Sequence, residues 1–220
     1  MTIISTSGLI GSGKDTVADY LISHYNFTQM SFAGALKDAI ASIFNWDREM
    51  LEGSTVTSRT WREQEDAWWT ARLNRSITPR LMLQEWGTEV CRDGFHNEIW
   101  LASLENKLKD STANIIISDC RFPNELDTIK RLGGASILVN RGDKPIWYDH
   151  AIKVNAGQKR IGWSNGKHYL KTLNIHPSEY SLIGATFDYT IDNNGTFEEL
   201  HSNVDNIMAE IAQKSASKTP

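Results

Sequence analysis

The sequence predicts a parallel α/β sheet of five strands with helices on both faces. Short β-branched or apolar runs alternate with stretches of helical spacing, the order that strand–helix–strand units impose. The most apolar run, 113–118, shows no polar alternation, as expected of a strand covered on both sides. The first run stops in a glycine-rich loop with a helix behind it.

Taken in order, residues 2–7 (TIISTS) read as a buried strand ending at Gly8. Residues 15–25 place Val17, Leu21 and Ile22 on one helical face, and 28–32 read as a second strand. Leu36, Ile40, Ile43 and Phe44 give helical spacing over 36–44. Residues 45–76 are polar and tryptophan-rich (Trp46, Trp61, Trp68, Trp69), and are expected to form a partly helical insertion over one edge of the core. Thr78-Pro79 reads as an N-cap and first turn, opening a helix that stops at Asp93-Gly94. A helix over 97–109 carries Ile99, Trp100, Leu104 and Leu108. Strand 113–118 ends at Asp119; a helix over 123–132 is closed by Gly133-Gly134, and 135–140 form the next strand. Residues 141–182 lack a sustained period and are expected to be a mobile, lid-like insertion. Strand 187–191, a turn at Asn193-Asn194-Gly195 and a helix over 197–211 close the chain, with 213–220 as a flexible tail. With no repeat and no low-complexity linker, one domain is the simplest count.

Composition excludes several classes. The 23 basic residues against 27 acidic ones leave a net charge of −4, with no general attraction to nucleic acid or anionic membrane. No window approaches the roughly 18 apolar residues that a membrane span needs. The start lacks the basic stretch of a signal peptide, and Cys91 and Cys120 make neither a disulfide framework nor a metal spacing. A reducing cytoplasm is the expected compartment.

The strongest chemical signal is Gly8-Leu9-Ile10-Gly11-Ser12-Gly13-Lys14, which matches the phosphate-loop pattern G-x-x-x-x-G-K between a strand and a helix. Glycines let backbone N–H groups close around a triphosphate, the helix adds its positive end, and Lys14 adds a full charge. The next position is usually a Ser or Thr that holds Mg²⁺; here Asp15 stands there, followed by Thr16. Asp15 through water, or Thr16 in its stead, are the alternatives for the metal.

A second group, Asp119-Cys120-Arg121, lies at the carboxyl end of the best strand, the edge where open α/β sheets bind ligands. The acid can organise Mg²⁺ or a substrate hydroxyl, Arg121 can grip a phosphate, and Glu125 falls one turn on. The rival is a helix-capping aspartate beside a solvent arginine. Arg80 and Gln84 share a helix face near Gly87 and Thr88, which suits a phosphate-gripping arginine and a base-reading amide; an amphipathic helix fits the spacing equally. Lys37 and Asp38 follow Gly34 at a loop-to-helix junction, where solvated surface is locally favoured. The insertions add Arg59, Arg62, Arg141, Lys144, Lys153, Lys159 and Arg160 as cations that a closing flap can bring to transferring phosphates. Trp100 is a packing residue or a base-stacking one. His176-Pro177-Ser178-Glu179 reads as a turn with an N-cap and is assigned no chemistry.

These residues, taken as an ordered set, resemble the deoxynucleoside monophosphate kinases of tailed bacteriophages, a branch of the phosphate-loop (P-loop) kinases. The resemblance rests on GSGKDT at 11–16, AGALKDA at 33–39, TPRLMLQEWGTEV at 78–90, Phe95 and Trp100, SDCRFPNE at 118–125 and DNNGTFEEL at 192–200. It implies a P-loop NTPase fold and transfer of the γ-phosphoryl of ATP to a deoxynucleoside monophosphate, with Mg²⁺. Carried over by position, Gly11, Ser12, Gly13, Lys14, Asp15 and Thr16 bind ATP. Lys37, Arg80, Gly87, Thr88, Trp100, Asp119, Arg121 and Glu125 form the acceptor site, joined by an arginine of the 59–62 segment, Arg59 or Arg62. Lys14, Asp119 and Arg121 are the expected catalytic groups, and the turn at 192–196 is expected near the adenine. The family also suggests a homodimer and, for a phage protein, the host cytoplasm. The 141–182 segment departs from the family pattern, so lid contacts and base preference do not carry over. The rivals are a kinase of the same fold acting on dephospho-coenzyme A, and an ATP-binding regulator that transfers nothing.

Overall fold

The computed structural model describes residues 1–157 and 166–217. Strand β1 (Ile3–Ser7) leads through the glycine loop to α1 (Lys14–Tyr25) and β2 (Phe27–Met30). Helix α2 (Gly34–Phe44) precedes a 3₁₀ turn (Met50–Glu52), α3 (Val56–Glu63) and α4 (Ala67–Leu73). Helix α5 (Pro79–Glu85) runs into a π-helical stretch (Trp86–Asp93) ahead of α6 (Ile99–Leu108). Then come β3 (Asn114–Ile117), α7 (Pro123–Arg131) and β4 (Ala135–Asn140). Helices α8 (Tyr148–Asn155), α9 (Gly166–Thr172) and α10 (Pro177–Tyr180) lead to β5 (Tyr189–Asp192) and α11 (Phe197–Ala216).

The chain forms two compact units, one of Met1–Ser31 with Ser111–Pro220, the other of Phe32–Asp110. The first holds the sheet, in the order β2-β3-β1-β4-β5. All pairings are parallel, with Ile4 opposite Ile116 and Val139 opposite Ile191. Ile4, Ile116, Ile137, Val139 and Ile191 meet Val17 and Leu21 of α1 and Leu200 and Val204 of α11. The alternate residues Ile3, Ile115 and Ile117 are buried too, as are Ser5, Thr6 and Ser7, so both faces of β1 and β3 are covered. Burying each such side chain is worth about 1.5–3 kcal/mol. This is the P-loop kinase fold.

Two expectations need correction in this unit. Residues 141–182, expected to lack regular structure, hold α8, α9 and α10 among the described residues, packed around Ala151, Val154, Leu170, Tyr180 and Ile183. Asn155 Nδ2 donates to the carbonyls of Tyr180 (2.7 Å) and Ile183 (2.9 Å), tying α8 to the segment after α10. These helices are of 8, 7 and 4 residues, too short for a period to show. Helix α11 also runs five residues beyond 211, to Ala216. There Ser215 Oγ donates to the Ile211 carbonyl and Lys214 Nζ to Tyr189 Oη, both at 2.9 Å. Of the expected tail, 218–220 lie outside the described residues, as do Lys159 and Arg160.

The second unit is helical and contains the tryptophan-rich stretch. Its core joins Leu36, Ile40, Phe44, Trp46, Leu51, Ile77, Met82 and Trp100. Phe44 stacks on Trp46 at 4.5 Å and meets Trp69 edge-on at 4.9 Å, so Trp46 and Trp69 pack in this core while Trp68 stays exposed. Asp66 caps α4 and accepts from Trp46 Nε1 at 2.8 Å. Burial pushes the Asp66 carboxyl up, but hydrogen bonds from the Trp69 N–H and Trp46 outweigh it and hold it below the usual range. Thr78 caps α5 and Pro79 occupies its first turn, as its sequence predicts.

Candidate active site

Strand β1 is buried throughout and leads into Gly8, where a Cβ would stand 2.4 Å from the Val139 carbonyl oxygen. Only glycine leaves the strand so close to β4. The Ser12 N–H donates to the Leu9 carbonyl at 3.1 Å, closing a turn with Gly11 exposed at its tip. Gly13 then takes a left-handed φ of 94° at the N-cap of α1 and supplies no capping side chain. The first-turn N–H groups of α1 therefore present a positive end to an anion. Lys14 opens the helix and borders an open cleft together with Gly8, Leu9 and Ile10 of the loop. Asp15 is exposed and Thr16 half-buried on the same turn.

Arg121, Cys120 and Glu179 line this same cleft. Ser7 Oγ donates to the Cys120 carbonyl at 3.0 Å, fastening the ends of β1 and β3 together. Arg121 Nη1 donates to Glu179 Oε1 at 3.3 Å. Glu125, expected to face the cleft, is 2% exposed, and its Oε2 accepts from the N–H groups of Arg121 (2.6 Å) and Phe122 (3.0 Å). It thereby fixes the backbone that carries Arg121. Burial, reinforced by the Glu125 carboxylate, pushes the Cys120 thiol well above its usual range and keeps it neutral. Asp119 is half-buried two residues beyond the end of β3.

Among the described residues, no three His, Cys, Asp or Glu side chains converge on a metal position. Magnesium needs no such cage, since it keeps waters and takes substrate phosphates with one or two carboxylates. Asp15, Thr16 and Asp119 are oxygen donors of the kind it accepts.

In the second unit, Lys37 Nζ pairs with Glu52 Oε2 at 2.5 Å and Arg80 Nε with Glu63 Oε1 at 2.7 Å. Arg59 Nε donates to the Gly53 carbonyl at 2.9 Å, and Arg62 Nη1 to the carbonyl of Leu51 at 3.4 Å. Lys37, Arg62 and Arg59 thus converge on the segment 51–54, with Arg80 held by the residue beside Arg62. Burial pushes the Glu52 carboxyl up, but Lys37 and then Arg48 bring it below its usual range. Gly87 is buried, and a Cβ there would approach Leu36 Cδ2 to 2.9 Å. Trp100 Nε1 donates to the Gly87 carbonyl at 2.9 Å, which places the indole in the core beneath the π-helical stretch that carries Thr88.

A family model for deoxynucleotide monophosphate kinase matches residues 54–157. An Acanthamoeba polyphaga mimivirus protein assigned as a deoxynucleotide monophosphate kinase is 32% identical, over 93% of this chain and 94% of its own. This chain belongs to the deoxynucleotide monophosphate kinase family. The deoxynucleoside-5′-monophosphate kinase of Escherichia phage T5 is 28% identical, over 63% of this chain and 76% of its own. The deoxynucleotide monophosphate kinase of Enterobacteria phage T4 is 24% identical, over 94% of this chain and 99% of its own. No helix among the described residues is long and apolar enough to cross a membrane.

Two contacts at this site have no signature in the sequence, one made by Glu179, to which no chemistry is assigned, and one by Asn193, expected only as part of the 192–196 turn near the adenine. Glu179 meets Arg121 across 58 positions, and no local pattern marks it. Asn193 lies in the Asn-Asn-Gly turn, where a turn signal is visible but its partner is not: its Nδ2 donates to the Ser12 carbonyl at 2.8 Å.

Proposed function

We propose that this chain transfers the γ-phosphoryl group of ATP to a deoxynucleoside 5′-monophosphate. The observation that carries the reading is the glycine loop, whose Gly8, Leu9, Ile10 and Lys14 line one cleft with Arg121 beside an uncapped helix start. Lys14 holds the β- and γ-phosphates, with Gly11, Ser12, Gly13 and the first turn of α1 around them. Asp15 through water, or Thr16 directly, would hold Mg²⁺, which would supply positive charge to the phosphate oxygens. Arg121 and Asp119 orient the transferring group and the acceptor, and Glu125 keeps Arg121 in place. An oxygen of the monophosphate attacks the γ-phosphorus, the bond to the β–γ bridging oxygen breaks, and ADP leaves.

Lys37, Arg59, Arg62 and Arg80, with Gly87, Thr88 and Trp100 shaping the floor, are the acceptor's recognition set. Their partners support this: Glu52 and Glu63 are roughly half exposed, at 42% and 58%. Such pairs are worth about 0–1 kcal/mol, so a phosphate dianion can displace the carboxylates cheaply. For a phage protein the compartment of the reaction would be the host cytoplasm, a reading that the viral and phage relatives support.

The test is ADP release with ATP and Mg²⁺ across the four deoxynucleoside monophosphates, dephospho-coenzyme A and no acceptor. Release that needs a deoxynucleoside monophosphate is expected. Release with dephospho-coenzyme A alone, or the same rate without acceptor, overturns the reading.

A further inference from the structure

We infer that Asn193 is a positioning residue for the phosphate loop, aiming one of its backbone N–H groups; this rests on the donor-site reading above. Asn193 stands on the turn after β5 and is 8% exposed. Its main-chain N–H donates to the Asn140 carbonyl at 2.8 Å, which anchors it to the end of β4. The turn is braced further where the Gly142 N–H donates to Asn194 Oδ1 at 2.8 Å. From this fixed base the Asn193 amide reaches the glycine loop, donating through Nδ2 to the Ser12 carbonyl at 2.8 Å.

The consequence follows from peptide geometry. The Ser12–Gly13 bond is trans, as are all peptide bonds described. In a planar trans peptide the C=O and the following N–H point in opposite directions. Gripping the Ser12 carbonyl from the Asn193 side therefore turns the Gly13 N–H to the other side. The same amide explains the glycine: a Cβ at position 13 would lie 2.2 Å from Asn193 Nδ2. Gly13 and Asn193 form a matched pair, one leaving the space that the other fills. Without the amide donor, the 12–13 peptide can rotate, and the loop must order it each time a triphosphate binds.

Titration calorimetry of wild type, Asn193→Ala and Asn193→Asp, with ATP and separately with deoxynucleoside monophosphates, tests this. Asparagine and aspartate share shape and main-chain bond, but aspartate lacks the donor. Both variants are expected to bind ATP about tenfold more weakly, equivalent to about 1.4 kcal/mol, with a parallel rise in the KM for ATP. Monophosphate affinity and KM are expected to stay at wild-type values. Equal losses for both ligands, or two variants that fail to fold, would make Asn193 a general fold residue and overturn the inference. Wild-type ATP affinity in Asn193→Asp overturns it as well. A wild-type protein that binds no ATP at all would instead remove the donor-site reading beneath it.

Discussion

Replacing Trp100 with phenylalanine separates its two candidate roles. Phenylalanine keeps an aromatic face for stacking on a base but lacks the Nε1–H. In the structure that N–H donates to the Gly87 carbonyl at 2.9 Å, and the indole is 8% exposed among Leu36, Ile40 and Met82. Depriving a buried carbonyl of its partner costs about 1–3 kcal/mol. The smaller ring leaves a void that adds about 1 kcal/mol. The sum, roughly 2–4 kcal/mol, corresponds to a fall in Tm of roughly 4–16 °C for a chain of this size. Scanning calorimetry of wild type and Trp100→Phe measures it directly. A Tm within about 1 °C of wild type, equivalent to less than ~0.5 kcal/mol, would refute the packing role and leave stacking as the reason for the residue.

Lys14→Ala is expected to lower kcat/KM by about a thousandfold, since a unit charge at 4 Å in an effective dielectric of 20 is worth about 4 kcal/mol. Circular dichroism should show an unchanged fold; near-normal turnover in that folded variant refutes the role. In Arg121→Ala, monophosphate affinity is expected to fall before ATP affinity does, and separate titrations decide it; an unchanged monophosphate Kd counts against the assignment. Asp66 makes a pH prediction. Its carboxyl is held below the usual value in the fold, so its stabilisation is complete above the unfolded pKa of about 3.9 and is lost as pH falls through the lower folded value. Urea midpoints of wild type and Asp66→Ala should therefore differ at pH 7 and converge in that acid range; a gap that persists there is the contrary result.

Whatever is decided within one or two turns of chain is readable in this sequence. Strand β4 spans 135–140 as its β-branched run predicts, and Thr78-Pro79 opens α5 because cap and first turn need only neighbours. The phosphate loop is legible for the same reason: its glycines answer local backbone demands. What escapes reading is decided by partners far along the chain. Nothing in WGTEVCRD announces a π-helical stretch, because the indole that takes the Gly87 carbonyl comes from α6. Helices α8, α9 and α10 each expose too little periodic pattern, and only their shared cluster makes them cohere.

The same division runs through the site and explains which chemistry was visible. Lys14 and Arg121 carry their chemistry in their own side chains, so residue type and position at a strand's carboxyl end suffice to nominate them. For Glu125 the sequence leaves two faces open, since a carboxylate one turn into a helix after Arg121 can point to the cleft or to the backbone. Its burial and its two backbone donors turn it toward capping α7. Asn193 acts on a main-chain carbonyl 181 positions away, and a carbonyl has no signature in sequence. A site built from backbone is therefore bound to hide its supports: the loop is written in glycines, while the groups bonded to it are ordinary polar residues brought there by the sheet.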